Sequence, residues 1–353
     1  MTDHGCRCVG VIALAAAAIG LLGTPIAGCA RRSGAARLPQ SPAEARSLLP
    51  RAAGTSFRVL SWNVGGQGFH THVEGFRTVF RLADPDILLL DEIEGGRTAG
   101  DVRSSVSGLR GAADTEWSIV IGEGGGYQRG AIISRHPVKP VLEFQLIPFP
   151  ENELRELQSQ MDVATWERMK PNLDAGLAVA AGVIQLGSRL VLGVAFDLQC
   201  CAALWQEQRR LMEIRHIYRA IQATLARQSV HAILLAGDFN TVSSAVPLAV
   251  ITNPYPPPHI ALVPVQARHL DGLENWTWDG RGSEFPSGIL DFSLYSPTVL
   301  EVAGAWVLST EDLEARELAP LGLTAETSRT LSDHLPIIVD YRWRETGMTS
   351  GRN

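Results

Sequence analysis

Residues 233–244, ILLAGDFNTVSS, begin as a buried strand and end as something else. Ile233, Leu234, Leu235 and Ala236 make a continuous apolar run of the kind that fills a doubly covered sheet. Gly237, Asp238, Phe239 and Asn240 follow, so a carboxylate and an amide stand one residue apart where the run meets a loop. Alternation along an extended segment puts positions 238 and 240 on the same side, where both can address one ligand.

Similar runs recur along the chain: FRVLSWN from Phe57, DILLLDE from Asp86, WSIVIG from Trp117, GAIIS from Gly130, LAVAAGVIQL from Leu177, RLVLGVAF from Arg189, LDFSLYS from Leu290, EVAGAWVL from Glu301 and LPIIVDY from Leu335. All suit strands of a sandwiched sheet. Helices are fewer. In LWQEQRRLMEIRHIYRAIQATLAR, Leu204, Leu211, Ile214, Ile217, Ile221 and Leu225 share one face and arginines take the other. Further helices are expected around VEGFRTVFRLA (73–83) and through ENELRELQSQMDVATWERM (151–169). This mixture argues for an α/β sandwich, in one domain over 56–345 and with a disordered tail at 346–353. GEGGGYQRG (122–130) lacks the lysine and following helix of a phosphate loop and reads as a hairpin turn.

The chain has 353 residues, 45% of them hydrophobic, enough for a large core. A formal charge of -6 gives no basic footprint, so a nucleic-acid partner would need a local patch or a bound cation. Val9–Leu22 is uncharged, too short for a comfortable membrane span, and is followed by PIAGC ending at Cys29. The pattern resembles a bacterial lipoprotein signal: residues 1–28 would be removed and Cys29 would carry lipid. Residues 29–55, rich in Arg, Ala, Ser and Pro, read as a linker holding the domain off an envelope membrane, on its extracytoplasmic side. Cys200 and Cys201, the two cysteines beyond Cys29, read as small apolar core residues rather than a disulfide framework.

Polar residues gather where apolar runs end. Asn63 follows LSW, Glu92 follows ILLLD, Asp238 and Asn240 follow ILLAG, Asp291 opens DFSLYS, and Asp333 with His334 precedes LPIIVDY. One such residue usually only starts a turn. Together, carboxylates, amides and one imidazole at a single sheet edge supply hard oxygen ligands for Mg²⁺ or Mn²⁺ and a group that handles protons. That is the equipment of phosphoester hydrolysis. Trp276 and Trp278 either wall such a cleft or pack in the core.

The ordered motifs LSWNV, LLLDEI, GAIISRHPV, LLAGDFNT, TWDG, LDFSLYS and SDHLPI resemble those of the endonuclease/exonuclease/phosphatase superfamily over nearly the whole domain. The resemblance implies a four-layer sandwich of two packed mixed β-sheets flanked by helices. It also implies divalent-metal-dependent hydrolysis of a phosphodiester, either nucleic acid or a phospholipid head group, by a monomer. By the same resemblance, Glu92 is the principal metal ligand with Asn63 beside it, and Asp333 completes the metal or histidine environment. Asp238 orients or deprotonates the attacking water, Asn240 hydrogen-bonds the phosphate, and His334 is the catalytic histidine, oriented by Asp291. Two positions depart from the family pattern: Ile289 replaces an arginine, and Asp197 stands where a histidine usually contacts the scissile phosphate. An anion facing an anion is repulsive unless it is protonated or holds a cation. With Asp238 and Asn240, Asp197 would offer oxygen ligands to a second cation. The alternative is a lipid-anchored binding module on the same fold, impaired in catalysis.

Overall fold

The computed structural model describes residues 49–109, 116–253 and 261–345. Every apolar run becomes a strand, joined by short additional ones: β1 (Phe57–Gly66), β2 (Ile87–Glu94), β3 (Ser118–Ile121), β4 (Gln128–Ser134), β5 (Val138–Pro140), β6 (Val179–Leu186), β7 (Arg189–Asp197), β8 (Ala232–Asp238), β9 (Val263–Pro264), β10 (Arg268–His269), β11 (Asp291–Tyr295), β12 (Leu300–Val307) and β13 (Ile337–Trp343). Seven form a sheet in the order β10-β12-β13-β1-β2-β4-β3, and six form a second in the order β5-β6-β7-β8-β11-β9. Both are mixed, with β1–β2, β10–β12 and β7–β8 parallel and the other neighbours antiparallel. Residues 122–127 form the β3–β4 hairpin connection, as the glycines there suggested, and 128–130 begin β4.

Alternation along these strands makes three apolar layers. Phe57, Val59, Ile87, Leu89 and Ile132 of the first sheet meet Ala180, Ala195, Ala232, Leu234 and Ala236 of the second in the space between the sheets. Small residues on one side let the sheets approach closely. A Cβ on Gly130 in β4 would lie 2.5 Å from the Ala195 carbonyl oxygen, so at this point the sheets touch backbone to backbone. The outer face of the first sheet packs on the helix Val73–Ala83 through Phe76, Val79 and Phe80. The outer face of the second is covered by the helices Glu151–Gln158, Val163–Asp174 and Leu204–Arg227. The result is the expected four-layer α/β sandwich.

Local readings differ in three places. The helix expected over 151–169 is two, because Asp162 accepts the Thr165 N–H at 2.8 Å and starts a second helix. On Leu204–Arg227, Ile214, Ile217 and Ile221 are buried as expected, but Leu204 is exposed while Arg209 and Arg210 are buried. Arg209 bonds Glu213 within the helix at 2.7 Å, and Arg210 reaches out to loop carbonyls, so both guanidinium groups are paired where water is absent. Finally, residues 49–55, assigned to the linker, pack on the domain. The buried Arg58 guanidinium, paired with Asp340 at 2.6 Å, also donates to the Leu49 carbonyl at 2.8 Å, and Ala52 N donates to Asp340 at 2.7 Å. Cys29 and the signal segment, like the tail at 346–353, lie outside the described residues. Among the described residues no helix is long and apolar enough to cross a membrane.

Candidate active site

The polar cluster caps one end of the apolar space between the sheets. Ile87 and Leu89 face that space, so Asp91 faces it too, and the parallel register sets Asp91 beside Asn63 of β1. On the opposing sheet, Asp197, Asp238 and Asp291 are register partners across β7, β8 and β11, in one row continuing the Ala195, Ala236 and Ser293 row. Close pairing there requires glycine next to Asp238: a Cβ at Gly237 would fall 1.8 Å from the Phe196 carbonyl oxygen.

Two backbone irregularities finish the arrangement. Glu92 has φ 55, and the register of β2 slips at this point against both of its neighbours. The bulge turns Glu92 back toward Asn63, whose Nδ2 donates to Glu92 Oε1 at 3.1 Å. Such a left-handed non-glycine residue costs on the order of 1–3 kcal/mol and persists where its surroundings impose it. Asn240 has φ 49, and its N–H donates to Asp238 Oδ1 at 2.7 Å, an Asx-type turn.

His334 Nδ1 lies 2.8 Å from Asp291 Oδ2, and its Nε2 lies 3.7 Å from Asp238 Oδ2. Its backbone is tied from both sides: Trp62 Nε1 donates to the His334 carbonyl at 2.9 Å, and His334 N donates to Ser332 Oγ at 3.1 Å. Burial lowers the imidazole pKa, but the carboxylates of Asp291 and Asp238 outweigh it and hold the ring well above its ordinary range, in the charged form. Burial and Asp291 push Asp238 up to about 7, against the His334 charge. Asp238 therefore titrates close to neutral pH, the range a proton-transferring group needs, beside an imidazole held charged.

Ligand atoms of Asp238, Asp291 and His334 all lie within 4.8 Å of one another. This trio is better suited to proton transfer than to metal binding, because an imidazolium has no lone pair to offer a cation. The oxygen donors that fit a hard divalent ion are Glu92 and Asp238; Asn63 turns its Nδ2 toward both, 3.4 Å from Asp238 Oδ2, while its Oδ1 accepts the Gly65 N–H at 3.1 Å, so it holds these carboxylates rather than offering the ion an oxygen. Burial raises the Glu92 pKa, against the Asn63 hydrogen bond and the His334 charge, which lower it. Asp333 stands apart: it is exposed, and its carboxylate accepts the Trp278 Nε1–H at 3.2 Å. Trp278 is thus a half-buried wall of the site, bridged to His334, whereas Trp276 packs at a tilt against His269, ring centroids 4.5 Å apart.

The structure corrects the three-oxygen set expected around Asp197. Asn240 Nδ2 donates to the Leu198 carbonyl at 2.7 Å and faces Asp197 Oδ1 at 3.3 Å. A carbonyl can only accept, so the nitrogen of Asn240, not its oxygen, is turned toward Asp197. Burial, with Glu92 and Asp238 nearby, raises the Asp197 pKa well above the carboxylate range.

Asp91 escaped the sequence reading. It is fully buried, and neither carboxylate oxygen accepts a hydrogen bond from any described residue. Burial, then Asp291 and Asp238, raises its pKa far above the usual value. A raised folded pKa means that stability is full below the unfolded pKa and is lost as pH climbs through the folded one. In metal-free protein, Asp91→Asn is therefore expected to flatten the loss of stability as pH rises above the ordinary carboxylate range. Urea unfolding across that rise measures it, and an unchanged slope would count against a buried acid at this position.

Residues 60–334 match the model of the Endonuclease/Exonuclease/phosphatase family. The chain belongs to that family. Solved structures of similar fold include an endonuclease/exonuclease/phosphatase from Beutenbergia cavernae DSM 12333, 17% identical over 81% of this chain and 71% of that one, with a TM-score of 0.52. Another, from Bacteroides vulgatus, is 12% identical over 82% of this chain and 99% of that one, with a TM-score of 0.52. A third, ANGEL2, a 2',3'-cyclic phosphatase, is 15% identical over 82% and 96%, with a TM-score of 0.52. At these identities the likeness shows the fold alone. No curated protein matches the sequence at a significant level.

Proposed function

We propose that the chain is a divalent-metal-dependent phosphodiesterase tethered by Cys29 to the outer side of an envelope membrane. The observation that carries the catalytic part is the relay Asp291–His334–Asp238, with separations of 2.8 Å and 3.7 Å, at the edge where Glu92 is bent in. Glu92 and Asp238, with Asn63 beside them, would hold Mg²⁺ or Mn²⁺. When bound, the ion supplies charge that neutralises phosphate oxygens and the leaving oxyanion. Asp238 takes the proton of the attacking water. Asp291 keeps the His334 ring oriented and charged, so that its Nε2–H meets a phosphate oxygen. Asp197, as a neutral acid beside Asn240, donates to another.

Val242, Val246, Phe285 and Ile289 are exposed on the two segments that leave this edge, and Thr241 Oγ1 ties those segments together by donating to the Ile289 carbonyl at 2.9 Å. This apolar rim favours a phospholipid head group over nucleic acid as the substrate. The test is hydrolysis by the purified full chain of sphingomyelin, single-stranded and duplex DNA, RNA and inositol phosphates, each with Mg²⁺, with Mn²⁺ and with chelator. Turnover that survives the chelator would end the metal-dependent reading.

Asp197 carries the second reading, a binding module impaired in catalysis. If it donates a hydrogen bond to the phosphate, Asp197→Ala should slow hydrolysis about 10- to 100-fold, the loss that goes with a hydrogen bond to a charged group. Asp197→His, which restores the usual family residue, should not exceed the native rate. A marked gain in rate for that variant would favour the binding module.

A further inference from the structure

The adjacent cysteines are not core residues. Cys200 is exposed and Cys201 is half-exposed, on the loop that leaves Asp197 and enters the long helix. Their sulfur atoms lie 2.7 Å apart. Cys201 has φ 73, a left-handed conformation unusual for a side chain branching from Cα, and the loop around it is clamped. Glu213 Oε2 accepts the Gln199 N–H at 2.7 Å, the buried Arg210 donates to the Gln199 carbonyl at 2.7 Å and to the Cys201 carbonyl, and Glu207 pairs with Arg210 at 2.9 Å. An ion-paired scaffold thus holds two solvent-reachable thiols against each other.

We propose that Cys200 and Cys201 are a vicinal dithiol that closes reversibly to a disulfide by exchange with a small-molecule disulfide. The hydrogen bond from the Cys200 thiol draws the Cys201 thiol down to about 7, with Arg210 assisting against burial, while Cys200 itself is pushed up. Cys201 is therefore the attacking thiolate. It displaces one thiolate from the disulfide RSSR and forms a Cys201–SR mixed disulfide. Cys200 then gives up its proton to solvent and attacks Cys201 Sγ, forming the Cys200–Cys201 bond and expelling the second thiolate. Two protein thiols are oxidised and one RSSR is reduced to two RSH. Neighbouring Cα atoms stand about 3.8 Å apart, short of the usual disulfide range, which begins at about 4.4 Å. The closed ring is consequently strained, which makes it a readily reduced, switchable bond rather than a structural one. The ring lies two residues beyond the Leu198 carbonyl that anchors Asn240.

The test uses the full chain incubated with oxidised glutathione, then alkylated and digested, with the tryptic peptide Leu190–Arg209 read by mass. That peptide contains both cysteines and excludes Cys6, Cys8 and Cys29. The expected result is complete loss of alkylation, a mass lower by two hydrogens, no retained glutathione, and full recovery of both thiols with mild reductant. Cys200→Ser should trap a stable glutathione adduct on Cys201, and Cys201→Ser should give the corresponding adduct on Cys200 far more slowly. Persistence of both free thiols, or separate glutathione adducts on the two cysteines of the native chain, would overturn the proposal. Equal trapping rates in the two variants would overturn the assigned order of attack.

Discussion

Asp238→Asn is expected to lower turnover about 10²- to 10⁴-fold, the range for losing a positioned general base. The substitution keeps the shape of the side chain and the acceptor for the Asn240 N–H, so the turn at the end of β8 survives. It also removes a carboxylate that burial has pushed up to about 7. A raised folded pKa costs stability as pH rises through it, so the metal-free variant should match or exceed the native melting temperature above neutral pH. In the native protein the same titration gives a rate that climbs with pH, its midpoint at or below about 7 because a bound cation draws the carboxylate down. His334→Ala should cost a similar factor. The double variant should lose little more than either single one, since both act on one proton path. Near-native rates in both single variants would remove the relay from the mechanism.

Glu92→Gln should act on the metal while leaving the Asp291–His334–Asp238 relay in place. Replacing a carboxylate ligand by an amide is expected to raise the Mg²⁺ or Mn²⁺ concentration needed for half-activation by at least the roughly 10- to 100-fold seen when mere supports of a metal ligand are removed. A second readout does not require turnover. Saturating metal stabilises a protein by about 2.7 kcal/mol at a concentration one hundred times Kd, so the melting temperature of the native chain should climb with Mn²⁺ while that of the variant lags. The Asn63 amide, 3.1 Å from Glu92, keeps a partner in glutamine, which limits any loss of fold. An unchanged metal titration would place the ion away from Glu92.

The fold was legible because its signal is repeated. Apart from the short β5, β9 and β10, each strand is an apolar run, and the long helix was bounded correctly at Leu204 and Arg227. Its orientation was not, since Arg209 and Arg210 look like solvent-facing charges until Glu213 and the loop carbonyls supply partners from a distance. The split at Asp162 was missed although the side chain that caps the second helix stands in plain view. At the site, Asn63, Glu92, Asp238, Asn240, Asp291 and His334 come together, and Asp333 lies at the margin. Asp91 was hidden by its neighbour: beside Glu92 it reads as one of two strand-end acids. Counting alternately from Ile87 and Leu89 would have turned it toward the space between the sheets. The bulge that sends Glu92 to the same side is a backbone event with no residue signature, because nothing in ILLLDEI demands a left-handed glutamate.

The contact at Gly130 has a mechanical consequence. Backbone pressed against backbone acts as a key between two slabs and resists their shear. Asn63, Asp91 and Glu92 ride on one slab, and Asp197, Asp238 and Asp291 on the other, so the reacting geometry is only as good as the alignment of the two. A slip of about 1 Å is enough to cost about 10²-fold in rate. With the slabs keyed together, the relay is registered by the frame of the molecule and not by the rim. The segments bearing Val242 and Phe285 are then free to be lengthened, shortened or recoloured to suit a different cargo, while the proton path beneath them stays in tune.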